Sequence, residues 1–117
     1  MLFAMKVTMT HNPNCQTSRN VLALLRERGI EPEIIEYLKT PLSGDAIMAL
    51  VKRMKAPLRD VVRAKEKIYS DLKLADVDDD TLLAAMELHP ILLNRPIVTT
   101  PKGTKLCRPS ETVIQLL

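Results

Sequence analysis

The sequence predicts a single α/β domain over residues 1–117, in which a β-α-β unit, a helical stretch and a β-β-α unit follow one another. Three observations carry this expectation. Lys6–Thr10 (KVTMT) alternates and carries Val and Thr, and it leads through a loop of Asn and Pro into a run of helical period. The middle of the chain sets apolar residues at helical spacing and is broken at Pro57. Near the end, Ile97–Thr100 and Lys105–Cys107 flank the turn residues Pro101-Lys102-Gly103, the pattern of a hairpin.

From the N-terminus onward, the strand Lys6–Thr10 is followed by the loop HNPNCQTS and then by a helix from Ser18 to Arg28. Val21, Leu22, Leu24 and Leu25 recur at helical spacing, and Gly29 ends the helix in its usual C-terminal position. Glu33–Tyr37 is a second short strand. Thr40-Pro41-Leu42-Ser43 turns the chain into a helix over Gly44–Met54, with Ile47, Leu50, Val51 and Met54 on one face. Beyond Pro57, Leu58–Ala64 and Tyr69–Leu74 are short helices, and Asp79 or Asp80 caps a helix running to Leu88. After the hairpin, Ser110 caps a last helix that runs to Leu117.

A chain of 117 residues builds one core, and so one site. Its 46% apolar and 26% charged residues are the balance of a soluble globular protein. A net charge of +3 suits an anionic partner, but with 3% aromatics and no dense Lys/Arg run the chain lacks the stacking faces and basic stripe that nucleic acid needs. The apolar opening Met1–Met5 is shorter than the core of a secretory signal and has no basic flank before it. No stretch reaches the roughly 20 apolar residues of a membrane span. A cytoplasmic protein with two reduced thiols, Cys15 and Cys107, is expected. Two histidines and scattered carboxylates give no metal-ligand spacing, so no metal is expected.

Cys15 sits between a strand and a helix N-terminus, where free backbone amides converge and the helix dipole favours negative charge. A thiolate and an oxyanion both gain there. The plain alternative is a buried structural cysteine. Ser18 stands where a Cys-x-x-Cys motif has its second thiol, so electrons must come from an external thiol. Cys107 is either a distant resolving residue or a thiol packed in the core.

The strings HNPNCQTSRN at 11–20, HPILLNRPIV at 89–98 and LCRPSE at 106–111 resemble, in order and separation, the three signature regions of the glutaredoxin-linked arsenate reductase (ArsC) family. The chain ends at Leu117 where longer members continue with a charged tail, which would put it in a shorter branch. The resemblance implies a thioredoxin-like fold with an inserted helical region and a cis bond before Pro96. It also implies reduction of arsenate with glutathione and glutaredoxin as partners, no bound cofactor, and Cys15 with Arg63, Arg95 and Arg108 as the site. Arg63 rests on a looser match in LRDVVRAK, where Arg59 competes. His11 matches a family histidine thought to help the thiolate form, and an imidazolium near sulfur would do so by charge; the alternative is a loop histidine satisfied by local hydrogen bonds.

The residues give those arginines a physical role. Guanidinium forks grip a tetrahedral dianion through charge-assisted hydrogen bonds of roughly 1.5 to 3 kcal/mol each. Arg95 and Arg108 each precede a proline, which holds the arginine's backbone extended. Taken singly, Arg19, Arg26, Arg28 and Arg53 read as solvated surface charges. Thr10 and Gln16 depart from the family's common residues, a change that bears on glutathione access. The phosphatase-like arsenate reductases need Cys-x5-Arg, and the sixth residue after Cys15 is Val21. Two other readings share the fold: a general thiol-dependent oxidoreductase, and a non-catalytic regulator of RNA polymerase that needs a Cys-x-x-Cys switch.

Overall fold

Thr8–Thr10 forms the strand β1, around which the sheet of this computed structural model is laid out. The structure describes residues 5–117, so Met1–Ala4, most of the apolar opening, lie outside it. β1 pairs in parallel with β2 (Glu33–Ile35), Met9 lying opposite Ile34. On its other side it pairs antiparallel with β3 (Ile97–Thr100), Met9 lying opposite Val98. β3 turns through a hairpin into β4 (Gly103–Leu106), which gives the order β2-β1-β3-β4. The parallel pair follows from a helical crossover and the antiparallel pair from a tight turn.

The crossover is α1 (Gln16–Glu27). It begins two residues before Ser18, the expected start, because Cys15 itself takes the N-cap position and its carbonyl accepts from the Arg19 amide at 3.0 Å. Ser18, Val21 and Leu25 form its buried stripe. Val21 and Leu25 pack with Val7, Met9, Val98, Cys107, Val113 and Leu116 into one core. Gly29, at φ +74°, supplies the left-handed residue just past the helix. β4 ends at Leu106, so Cys107 lies beyond the strand, where its amide bonds the Pro96 carbonyl at 2.9 Å. The last helix is a 3-10 helix over Ser110–Leu116. Ser110 is not its cap: Pro109 holds that place, and the Ser110 hydroxyl turns to Glu111 at 3.4 Å.

These elements belong to one compact unit, Met1–Tyr37 with Arg95–Leu117; Leu38–Asn94 forms a second. In the second unit α2 (Gly44–Met54) has the expected bounds, with the Ser43 hydroxyl accepting from the Ala46 amide at 3.1 Å. A Cβ on Gly44 would lie 2.8 Å from a Glu87 carboxylate oxygen, so glycine lets the start of α2 approach α4 (Asp79–Leu88). Asp78, and not Asp79 or Asp80, caps α4: its carboxylate accepts from the Thr81 amide at 2.8 Å. Between them run a 3-10 helix at Leu58–Val61, α3 (Lys67–Asp71) and a 3-10 turn at Leu74–Asp76. The helix expected over Tyr69–Leu74 is displaced toward the N-terminus. The Leu74 and Val77 carbonyls are instead taken by the Arg59 guanidinium, at 3.1 and 2.6 Å. Ile47, Val51, Leu58, Val61, Leu82, Met86 and Leu92 are buried here. Among the described residues no helix is long and apolar enough to cross a membrane.

Candidate active site

Cys15 ends the loop His11-Asn12-Pro13-Asn14 and caps α1 with extended backbone, φ −99° and ψ 120°. The loop is built by its own polar groups. Asn12 Oδ1 accepts from the Asn14 amide at 2.9 Å, an Asx turn, and the Asn12 carbonyl accepts from the Cys15 amide at 3.0 Å. The Ser18 hydroxyl reaches back from the first turn of α1 to the Asn12 amide (3.1 Å) and to His11 Nδ1 (2.6 Å). Ser18 is wholly buried, so these bonds face no competing water.

Two arginines reach the sulfur from the segments on either side of the hairpin. Arg108 Nη1 donates to Cys15 Sγ at 3.8 Å and to the Arg95 carbonyl at 2.9 Å, which ties the two arginine segments together. Arg95 is 7% exposed, and its guanidinium favours the Cys15 thiolate. Both peptide bonds after these arginines, Arg95–Pro96 and Arg108–Pro109, are cis; the first was expected and the second was not.

These surroundings decide the charge on the sulfur. Burial pushes the Cys15 thiol up, but the Ser18 amide and the Arg95 and Arg108 guanidiniums together outweigh it, so the pKa falls from 9.0 to about 7. The Ser18 amide approaches the sulfur without forming a regular cap bond and still favours its anion. Cys107 is the opposite case. Fully buried, with Sγ 3.5 Å from the Lys105 carbonyl, its thiol is pushed up to about 12 by desolvation. Of the two readings of Cys107, the geometry favours the packed core thiol.

His11 stands beside the sulfur's loop but is engaged by Ser18. Burial holds its pKa below the ordinary histidine value, with Glu36 opposing and Arg26 and Arg19 assisting. The short bond to Ser18 favours the reading of His11 as a loop histidine satisfied by its own hydrogen bond. Thr10, read as bearing on glutathione access, is 2% exposed and accepts from the Ile97 amide at 2.8 Å, a bond that joins β1 to the start of β3. Among the described residues no group of His, Cys, Asp and Glu could hold a metal ion.

The model of the ArsC family matches residues 10–116. The chain belongs to the ArsC family. It is 50% identical over 113 residues to an arsenate reductase of Escherichia coli, a match covering 95% of this chain and 80% of that protein. It is 48% identical over 115 residues to an arsenate reductase of Rhizobium meliloti, covering 97% and 82%. An arsenate reductase from Vibrio cholerae has a structure that superposes with a TM-score of 0.93 at 40% identity, covering 98% of this chain and all of that one. The fold is accordingly the thioredoxin-like one expected of ArsC proteins, with a helical region inserted between β2 and β3.

Of the ArsC residues expected at the site, Cys15, His11, Arg95 and Arg108 lie in the first unit and converge on one loop. Arg63 lies in the second unit, half-buried, with its Nε 3.0 Å from Glu66 Oε1 and its amide bonded to the Leu92 carbonyl at 2.7 Å. Its competitor Arg59 is consumed by the Leu74 and Val77 carbonyls and by the Tyr69 hydroxyl at 3.3 Å, a role inside its own unit. Sequence reading missed Ser18, which had entered only as an absent thiol. Its period with Val21 and Leu25 was the available signal that it faces inward.

Proposed function

We propose that this chain is an arsenate reductase that works through a Cys15 thiolate, with glutathione and glutaredoxin supplying the electrons. The carrying observation is the Cys15 thiol at a helix N-terminus, contacted by Arg108 at 3.8 Å and favoured as the anion by Arg95 and Arg108, which bring its pKa to about 7. The arsenate reductase activity is that of the relatives half identical to it over most of its length.

In this reading Arg95 and Arg108 hold the arsenate oxygens while the Cys15 thiolate attacks arsenic and one oxygen leaves as water, giving a cysteine–arsenate adduct. Glutathione then attacks the adduct. The two electrons that take As(V) to As(III) come from two thiols, which end as one disulfide, so each turnover converts arsenate and two thiols into arsenite, a disulfide and water. Ser18 leaves no local second thiol and Cys107 is buried with its thiol protonated, which favours an external reductant. Glutaredoxin would return Cys15 to the thiol. His11 acts through Ser18 on the loop. Arg63 enters as a substrate-binding residue on its motif position. The 117 residues would act as one domain in the reducing cytoplasm, where both cysteines stay thiols.

A coupled assay with arsenate, glutathione, glutaredoxin, glutathione reductase and NADPH tests this. NADPH consumption that requires both arsenate and glutaredoxin is the expected result. Turnover with neither dependence, or none with any thiol, would overturn it. The regulator reading has no Cys-x-x-Cys switch to work with, since Ser18 occupies the second position.

A further inference from the structure

The backbone that carries Arg95 is held at three successive residues. The Arg95 carbonyl accepts from Arg108 Nη1 at 2.9 Å, the Pro96 carbonyl accepts from the Cys107 amide at 2.9 Å, and the Ile97 amide donates to Thr10 Oγ1 at 2.8 Å. Pro96 itself has no N–H to place. Arg108 and Cys107 both belong to the segment just beyond β4, whereas Thr10 is the last residue of β1.

The Thr10 bond is made where the pairing of β1 with β3 stops. That pairing sets Thr8 opposite Thr99 and Met9 opposite Val98, so the next pair in register would be Thr10 with Ile97. There a side-chain oxygen accepts from the Ile97 amide. The main chain meanwhile turns to the other neighbour, the His11 amide donating to the Ile35 carbonyl at 2.9 Å. The hydroxyl bond thus joins a point five residues before Cys15 to a point two residues after Arg95. Thr10 and Ile97 are each 2% exposed, so water is poorly placed to replace the hydroxyl if it is removed. The amide would then stay unsatisfied, or its segment would shift to find a partner.

We propose that Thr10 is a positioning residue, its hydroxyl fixing the Arg95 segment against the loop of Cys15 so that the Arg95 guanidinium is presented to the sulfur and to a bound oxyanion. The oxyanion part rests on the reading of the chain as an arsenate reductase; the sulfur part stands without it. Thr10 acts through Arg95, and a misplacement of about 1 Å at such a group can cost about a hundredfold in rate.

The test compares full-length variants well below their melting temperatures. Thr10→Val keeps the branched shape and loses the acceptor, Thr10→Ser keeps the hydroxyl, and Thr99→Val removes the 3.0 Å contact between the Thr99 and Thr104 hydroxyls elsewhere in the same sheet. The Cys15 midpoint, read from thiolate absorbance against pH in a Cys107→Ala background, should rise from about 7 by about half a pH unit in Thr10→Val and return in Thr10→Ser. With arsenate, kcat/KM should fall about tenfold in Thr10→Val and recover in Thr10→Ser. Thr99→Val should move neither. In an Arg95→Ala background Thr10→Val should leave the midpoint unmoved, because the group it positions is gone. Thr10→Ala carries the same expectations should Thr10→Val not fold. A folded Thr10→Val or Thr10→Ala protein that melts earlier with the parent's midpoint and kcat/KM would overturn the proposal, as would a midpoint shift that persists without Arg95. If the wild type reduced no arsenate with any thiol, the proposed function would fail while the midpoint series still judged Thr10.

Discussion

Replacing Arg108 with Ala removes the 3.8 Å N–H···S contact to Cys15 and the 2.9 Å bond that holds Arg108 to the Arg95 carbonyl. The Cys15 pKa lies about 2 below its ordinary 9.0, about 2.7 kcal/mol in favour of the thiolate. Burial opposes that drop, so Ser18, Arg95 and Arg108 together supply more than the net amount. Arg108 contributes less than Ser18 or Arg95, so its share is at most about one pH unit, or about 1.4 kcal/mol. At pH 7 the thiolate fraction would then fall from about half to about a tenth, roughly fivefold. A more basic thiolate is intrinsically the better nucleophile, by about threefold per pH unit, so the reaction rate at pH 7 would fall only about twofold. The midpoint itself is the sharper readout, measured by the ultraviolet absorbance of the thiolate against pH in a Cys107→Ala background. Arg108→Ala should move it from about 7 to about 8, and Arg108→Lys about half as far. A midpoint within about 0.3 of the parent's in Arg108→Ala would refute the assignment of Arg108 as a thiolate partner.

Cys15→Ser should abolish arsenate reduction while leaving the circular dichroism spectrum unchanged; normal turnover would remove Cys15 from the mechanism. Iodoacetamide at pH 7 should alkylate Cys15 and spare Cys107, as peptide mass mapping would reveal, because one thiol titrates at about 7 and the other is buried at about 12. The raised Cys107 pKa has a stability consequence: in a Cys15→Ser background, stability is retained below pH 9.0 and is lost as pH rises above it, since only the unfolded chain ionises there. Urea titrations should record that loss, and Cys107→Ala should remove it. Arg95→Lys keeps charge but loses the fork, so kcat/KM for arsenate should fall roughly tenfold to a hundredfold, with Arg53→Lys unchanged. Arg59→Ala should lower the melting temperature, because two part-buried carbonyls lose their donor, whereas Arg63→Ala should act chiefly on arsenate kinetics; the reverse pattern would exchange their roles.

The sequence by itself determined the order of elements, the bounds of α2 and β3, and Cys15 as the thiol to examine. Those features are written in short-range chemistry: helical and alternating periods, a turn at Thr40-Pro41-Leu42-Ser43, a cysteine placed before a helix. It also placed Arg95 and Arg108, through motifs local enough to read directly. Only the tertiary structure decided what those groups do to one another. Cys15 and Arg108 meet across 93 positions of chain, and the Thr10 hydroxyl meets the Ile97 amide across 87. The surroundings of His11 were likewise undecided by sequence, because the ring's burial and its bond to Ser18 depend on how the loop folds back on α1. The same holds for the two thiols. Cysteines of equal intrinsic acidity are set at about 7 and about 12 because one faces amides and guanidiniums and the other faces hydrocarbon.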